Sequence, residues 1–137
     1  MIVVDAKDCI VGRMATKVAK MALLGQTIKI VNCEQAVFSG TQDVVLAKFQ
    51  QLRERTVPLK GPYFPKQSHL IVKRNIRGML PYKSPRGRAA YQRITCYVGV
   101  PADLQGVATV SFDTKDKLPK GKFVSVQRVA QHLGGSQ

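Results

Sequence analysis

The apolar positions of the first half of the chain fall into short β-branched runs separated by helical patterns. Ile2 to Val4 is a continuous apolar run ended by Asp5, which predicts a buried strand. From Val11 to Leu24, apolar side chains recur at Val11, Met14, Ala15, Val18, Ala22 and Leu23, while Arg13, Lys17 and Lys20 fall on another face. That spacing predicts an amphipathic helix, and Gly25 stands where a left-handed C-terminal cap belongs. Thr27 to Val31 reads as a second strand and Ala36 to Phe38 as a short third. Ser39-Gly40-Thr41 then opens a second helix running to about Arg55, with Val45, Phe49 and Leu52 inward. A strand, a helix and a strand in this order imply a parallel pair joined by a right-handed crossover.

The pattern changes in the middle. Pro58, Gly61, Pro62 and Pro65 predict an extended loop over 56–67. Ser68 to Arg77 reads as a third helix with Leu70, Ile71 and Ile76 inward, stopped by Gly78 and kept from resuming by Pro81. Ser84-Pro85 has the form of an N-cap followed by proline at the first helical position, so a short basic helix runs from Pro85 to about Arg93. Ile94 to Val100, closed by Pro101, predicts a strand, and Val107 to Phe112 a further one. After a polar, basic loop from Lys115 to Lys122, Ser125 caps a last helix whose shared face is Val126, Val129, Ala130 and Leu133, ended by Gly134-Gly135. No repeat or linker divides the chain, so residues 1–137 are read as one domain.

Charge adds what the pattern lacks. The chain carries 22 Lys and Arg against 8 Asp and Glu, a net +14. Residues 48–93 hold twelve of these bases and one acid, Glu54, and so account for +11; the remainder is nearly balanced. So one-sided a surface gains from a polyanion, and each neutralised phosphate of a nucleic acid releases counterions. The expected contacts are Lys73, Arg74 and Arg77 on the third helix, then Lys83, Arg86, Arg88 and Arg93. Gly78 and Gly87 are interleaved among them, where glycine would let the backbone approach a phosphate. Tyr63, Phe64, Tyr82 and Tyr91 lie in the same stretch and could stack on bases, although packing against the protein is the better reading for the tyrosines. No helix-turn-helix, zinc finger or basic zipper is present, which favours RNA over DNA. In the free protein, residues 56–67 and 82–90 are expected to be mobile.

Candidate chemistry is sparse. There is no G-x-G-x-x-G and no G-x-x-x-x-G-K-[ST], so nothing recommends a nucleotide site. Asp5 and Asp8 sit at a strand end and before a helix, where they read as backbone caps rather than metal ligands. Asp113 and Asp116, in the basic loop, read the same way. His69 and His132 belong to no motif with a nucleophile. The expectation is therefore no catalytic residue, no metal, no cofactor and no small-molecule substrate. Cys9, Cys33 and Cys96 are odd in number and far apart, which points to reduced, partly buried thiols. No apolar run approaches the roughly 20 residues of a membrane span, and the start lacks the pattern of a signal peptide. A cytoplasmic protein is expected.

Several separated blocks resemble one family. R-G-M-L-P at Arg77–Pro81, K-x-x-R-G-x-A at Lys83–Ala89 and Y-x-G-x-P at Tyr97–Pro101 are similar to the central signature of the large-subunit ribosomal protein L13 family. V-V-D-A at Val3–Ala6, G-R-M-A at Gly12–Ala15 and V-N-C-E at Val31–Glu34 are similar to its opening blocks. The likeness covers about residues 2 to 101. It implies a three-layer α/β/α sandwich around a mostly parallel four-stranded sheet, with a basic loop-rich insertion at about 56–93. It also implies binding to large-subunit ribosomal RNA beside neighbouring ribosomal proteins, in support of assembly and translation. Carried over by position, the RNA-facing residues include Arg74, Arg77, Lys83, Arg86 and Arg88, with Lys60 and Lys66 from the preceding loop. Tyr82 departs from many members. The chain lacks the N-terminal extension of bacterial members and the long C-terminal one of eukaryotic cytosolic members, and so looks archaeal. A non-ribosomal RNA-binding or assembly factor is the alternative.

Overall fold

Parallel pairing of the first two strands organises the molecule, which a computed structural model describes at residues 1–54, 65–112 and 122–134. Strand β1 (Ile2–Asp5) leads into helix α1 (Val11–Leu23) and returns as β2 (Ile28–Val31), with Ile2 opposite Ile28 and Asp5 opposite Val31. The helical return has the length that a parallel crossover needs. Gly25 leaves α1 at φ +98°, the left-handed exit anticipated there. After a 3-10 turn at Cys33–Gln35 come β3 (Val37–Ser39) and α2 (Gln42–Glu54). Helices α3 (Ser68–Gly78) and α4 (Pro85–Gln92) then precede β4 (Ile94–Cys96), which pairs in parallel with β2.

The main sheet among the described residues has the order β1-β2-β4, all parallel. Its expected fourth strand is reduced to a single parallel bridge between Val4 and Val110, where Asp5 N donates to Val110 O at 3.0 Å and Val110 N donates to Val3 O at 3.0 Å. The strand expected over 94–100 ends early. Tyr97 N still donates to Ile30 O at 2.8 Å, but Gly99 turns the chain at φ +69°. A second sheet was not anticipated as such: β3 pairs antiparallel with β5 (Phe123–Ser125), Val37 opposite Ser125. Ser125 also caps α5 (Val126–His132), its Oγ accepting from Arg128 N at 3.2 Å.

Side chains alternate across the main sheet. Val4, Ile28, Ile30, Ile94 and Cys96 face the large core formed with α1 to α5, where Met14, Ile71, Ile76, Ala90 and Val126 are fully buried. Val3, Val31 and Tyr97 face the other way and are covered by Leu104 from a 3-10 turn at Ala102–Leu104. Among the described residues the α/β sandwich is thus lopsided, with α1 to α5 packed on one face and the Ala102–Leu104 turn on the other. Two local expectations differ from what is seen. Leu70 points outward, 40% exposed, because Ile71, Val72 and Ile76 already fill the inner face of α3. Gly78 lies within α3 and Met79 ends it in a right-handed conformation, since Leu80 must return to the core.

Three of the sequence blocks meet at the carboxyl ends of the strands, and their polar residues bond to one another. Asp5 Oδ1 accepts from Lys7 N at 2.9 Å and from Asn32 Nδ2 at 3.1 Å, so Asp5 does the local bonding expected of it. Asn32 is left-handed at φ +57°, and its N donates to Gly99 O at 3.0 Å. The buried Glu34 carboxylate accepts from Gly99 N at 3.0 Å and from Gln35 Nε2 at 3.3 Å. Cys9, Cys33 and Cys96 are buried and form no disulfide. The Cys33 thiol is pushed well above its ordinary pKa by its hydrogen bond with the Cys96 side chain and by burial, so it stays protonated.

Candidate nucleic-acid interface

Between Pro65 and Arg93 the chain has eight Lys and Arg and no carboxylate, so the cations of α3 and α4 are not neutralised from within the segment. The structure divides them into two kinds. On α3, Lys73 and Arg77 lie one turn apart and rest on tyrosines: Lys73 Nζ sits 4.8 Å from the Tyr91 ring centre, and Arg77 Cζ 4.5 Å from that of Tyr82. Stacking uses the flat face of the guanidinium and leaves its N–H edges for an anion. Burial raises the Tyr91 hydroxyl pKa, against the opposing charges of Arg77 and Arg74. Tyr82 and Tyr91 thus serve as supports for cations, and Tyr91 also packs against the large core, as the packing reading expected.

The second kind is held out by backbone. Ser84 Oγ accepts from Gly87 N at 3.2 Å and donates to Pro81 O at 2.8 Å, which caps α4 and closes the turn before it. Gly87 is buried, and a Cβ there would lie 1.9 Å from Pro81 O and 2.2 Å from its carbonyl carbon. Its missing side chain serves packing of α4 onto the turn rather than approach to a phosphate. Residues 82–90 form a turn and the short capped helix expected from Pro85, with Gly87 and Ala90 buried. From this frame Lys83, Arg86 and Arg88 project into solvent.

The remaining expected contacts are dispersed. Lys66 is exposed ahead of α3, and Arg74 is half-buried beside Leu52 and Asn75. Lys60, Tyr63, Phe64 and most of the proline-rich loop lie outside the described residues, as do Asp113, Asp116 and most of the 115–122 loop. Arg93 is engaged within the protein, where its Nη1 donates to Ala22 O at 2.9 Å and places a cation on the carbonyl end of α1. His132 is exposed on α5. His69 is half-buried, and its Nδ1 has no hydrogen-bond partner. Among the described residues no group of three or more His, Cys, Asp or Glu could hold a metal, and no helix is long and apolar enough to cross a membrane.

Sequence reasoning left three cations unassigned. Three grooves cross the outward side of the helix layer among the described residues, and every charged residue lining them is basic. The first, about 510 Å³, has Arg13 and Lys48 on its walls; a small neighbour of about 100 Å³ adds Arg74. The other, about 570 Å³, lies between Lys20 and Arg86 over Leu23, Leu24 and Met79. Thr16 lines both this groove and the first, and its Oγ1 lies 3.5 Å from Met79 Sδ. The signal was present in the spacing of Arg13, Lys17 and Lys20, which marks one outer face of α1. It did not reveal that α3 and α4 lie alongside that face.

Known proteins resemble this chain over most of its length. The family model for Ribosomal protein L13 matches residues 1–103. The large ribosomal subunit protein uL13 of Methanosarcina barkeri is 44% identical over 137 residues, spanning 98% of this chain and 98% of that protein. The proteins of the same name from Natronomonas pharaonis and Archaeoglobus fulgidus are 43% and 41% identical, over 98% and 96% of this chain and 92% and 86% of their own lengths.

Proposed function

This chain belongs to the ribosomal protein L13 family, and from that premise we propose that it is a non-catalytic structural constituent of the large ribosomal subunit, bound to large-subunit ribosomal RNA. The observation that carries the RNA contact is the outward side of the helix layer. There Arg13, Lys20, Lys48, Arg74 and Arg86 line grooves that contain no acid, next to Lys73, Arg77, Lys83 and Arg88. The sheet and its buried helix faces form a rigid platform, and the cations on it neutralise RNA segments that would otherwise repel one another. Held together in this way, those segments are easier to assemble, and the particle in the cytoplasm keeps them locked beside neighbouring ribosomal proteins. Lys60 and Lys66 extend the contact set along the chain before α3.

The test is a salt titration of affinity for large-subunit ribosomal RNA fragments. About six phosphate contacts give a log–log slope near 4 to 5, at roughly 0.9 per phosphate for duplex and 0.7 for single strands. A slope below about 1 would refute the electrostatic contact. Sedimentation separates a structural subunit from an assembly factor: the former stays with large particles in stoichiometric amount after a salt wash, the latter does not.

A further inference from the structure

We infer that the cleft between α2 and the α1–α3 pair receives an unpaired nucleobase of the bound RNA. Helix α2 packs mainly on α5 and β5, so it stands away from α1 and α3 and leaves the cleft of about 510 Å³ open between them. That size lies within the roughly 300–1,000 Å³ of small-ligand sites and far exceeds what a phosphate alone requires. Its floor is apolar, formed by Phe38 and Val45, with Val44 at the mouth 67% exposed. Phe38 is braced by Phe49 at a ring distance of 4.9 Å, so one aromatic wall is held rigid.

The walls add what a nucleotide needs beyond an apolar floor. Arg13 and Lys48 supply charge to the cleft from two different helices, α1 and α2. Asn75 contributes an amide whose Nδ2 is committed to Ile71 O at 3.0 Å, which fixes the direction in which its oxygen faces, and Ser39 contributes a hydroxyl. A phosphate alone would leave the apolar floor uncovered. An acidic protein segment would meet the cations with its carboxylates, but it would fill the space beside Phe38 only if it also carried an aromatic side chain. The small groove at Arg74 continues the cleft toward the remaining cations of α3, so the strand has a path out. The assignment rests on the RNA-binding role proposed above.

Gly12 provides a clean test. It lines the cleft from the first turn of α1, it is exposed, and a Cβ there meets nothing within 4 Å. Gly12→Leu has room for its Cβ, adds bulk at the cleft without changing the charge, and should raise Tm slightly because glycine is a poor helix residue. The probes are two RNAs of about 12 nucleotides, an oligoadenylate and an abasic oligomer with the same phosphates, titrated with the full chain. The wild type should bind the oligoadenylate about tenfold tighter, and Gly12→Leu should bind both alike with an unchanged salt slope. Equal binding of both probes by the wild type, with a steep salt slope, overturns the base pocket and leaves RNA binding intact. Discrimination that survives Gly12→Leu places the base elsewhere and also overturns it. A flat salt slope for both probes removes the RNA role itself. In native large subunits, ultraviolet adducts of a base on the Phe38–Ser39 or Val44–Phe49 peptides support the pocket. Adducts elsewhere only, or a protein cross-linked through Lys48, overturn it.

Discussion

The inner and outer faces of the helix layer belong to the same helices yet follow different physics. The inner face is made of Met14, Ile71, Val72, Ile76 and Ala90, all fully buried. There, stability comes from apolar area removed from water and from close packing, which salt hardly affects. The outer face holds Arg13, Lys20, Lys48, Arg86 and Arg88, all exposed, and the charged residues that line its grooves are basic throughout. Like charges gathered there repel one another until a polyanion arrives. On the proposed function, folding and RNA binding reside on different atoms of single helices, and substitutions should separate them. The α3–α4 turn is where the two faces meet, because Gly87 is buried within an otherwise cationic helix.

The largest effect should come from the inner face. Ile71→Ala deletes a fully buried side chain against the sheet and should cost about 2–5 kcal/mol in urea unfolding, while the molecules that remain folded keep the wild-type salt slope. A loss under about 1 kcal/mol would show that the inner face is less tightly packed than the burial indicates. Next is Gly87→Ala, which probes the boundary. The added methyl must displace the Pro81 carbonyl backbone, so about 1–3 kcal/mol of stability should go although the residue lies on a basic helix. Circular dichroism melts would check this, and an unchanged Tm would make Gly87 an ordinary surface position.

The outer face gives the complementary result. Arg77→Ala combined with Arg86→Ala should weaken RNA binding about tenfold and lower the salt slope by about 1.5, since two phosphate contacts are lost. Unfolding should change by no more than ~1 kcal/mol, the order of the lost stacking on Tyr82. A double variant that unfolds readily would mean that those arginines hold the fold. The smallest effect concerns His69. Burial, and then the charge of Lys73, hold its pKa below the ordinary 6.5. The folded state therefore resists protonation more than the unfolded chain does. Stability is complete above about pH 6.5 and falls as pH drops below it toward the lowered folded value. His69→Gln should flatten that decline in urea midpoints measured from about pH 7.5 to about pH 5, a span that brackets histidine titration. Equal declines in the two proteins would place the titration elsewhere.

Much of this architecture was legible in local pattern. Three-to-four spacing marked α1 with Met14 and Val18 inward, Ser84-Pro85 and Ser125 announced their helices, and Gly25 and Gly134 left theirs at positive φ. The candidate interface was legible as a concentration of charge, because counting residues needs no coordinates. The motif residues were harder. Asp5, Asn32, Glu34 and Gly99 bond to one another across strands distant in sequence, and spacing alone gives no sign of that purpose.

The order of amino acids is sufficient for whatever depends on near neighbours: which stretches turn as helices, where they stop, and how much positive charge the middle carries. Assembly of the elements set the rest. It turned Leu70 outward because three neighbours already occupied the inner face of α3, and it paired β3 with a distant β5. It gave Gly87 to the Pro81 carbonyl and Arg93 to the end of α1, and it set α2 apart so that Arg13 and Lys48 face one cleft. Periodicity and caps act within a turn or two of the chain, whereas steric competition and electrostatic grouping act through space between elements that only the fold brings together.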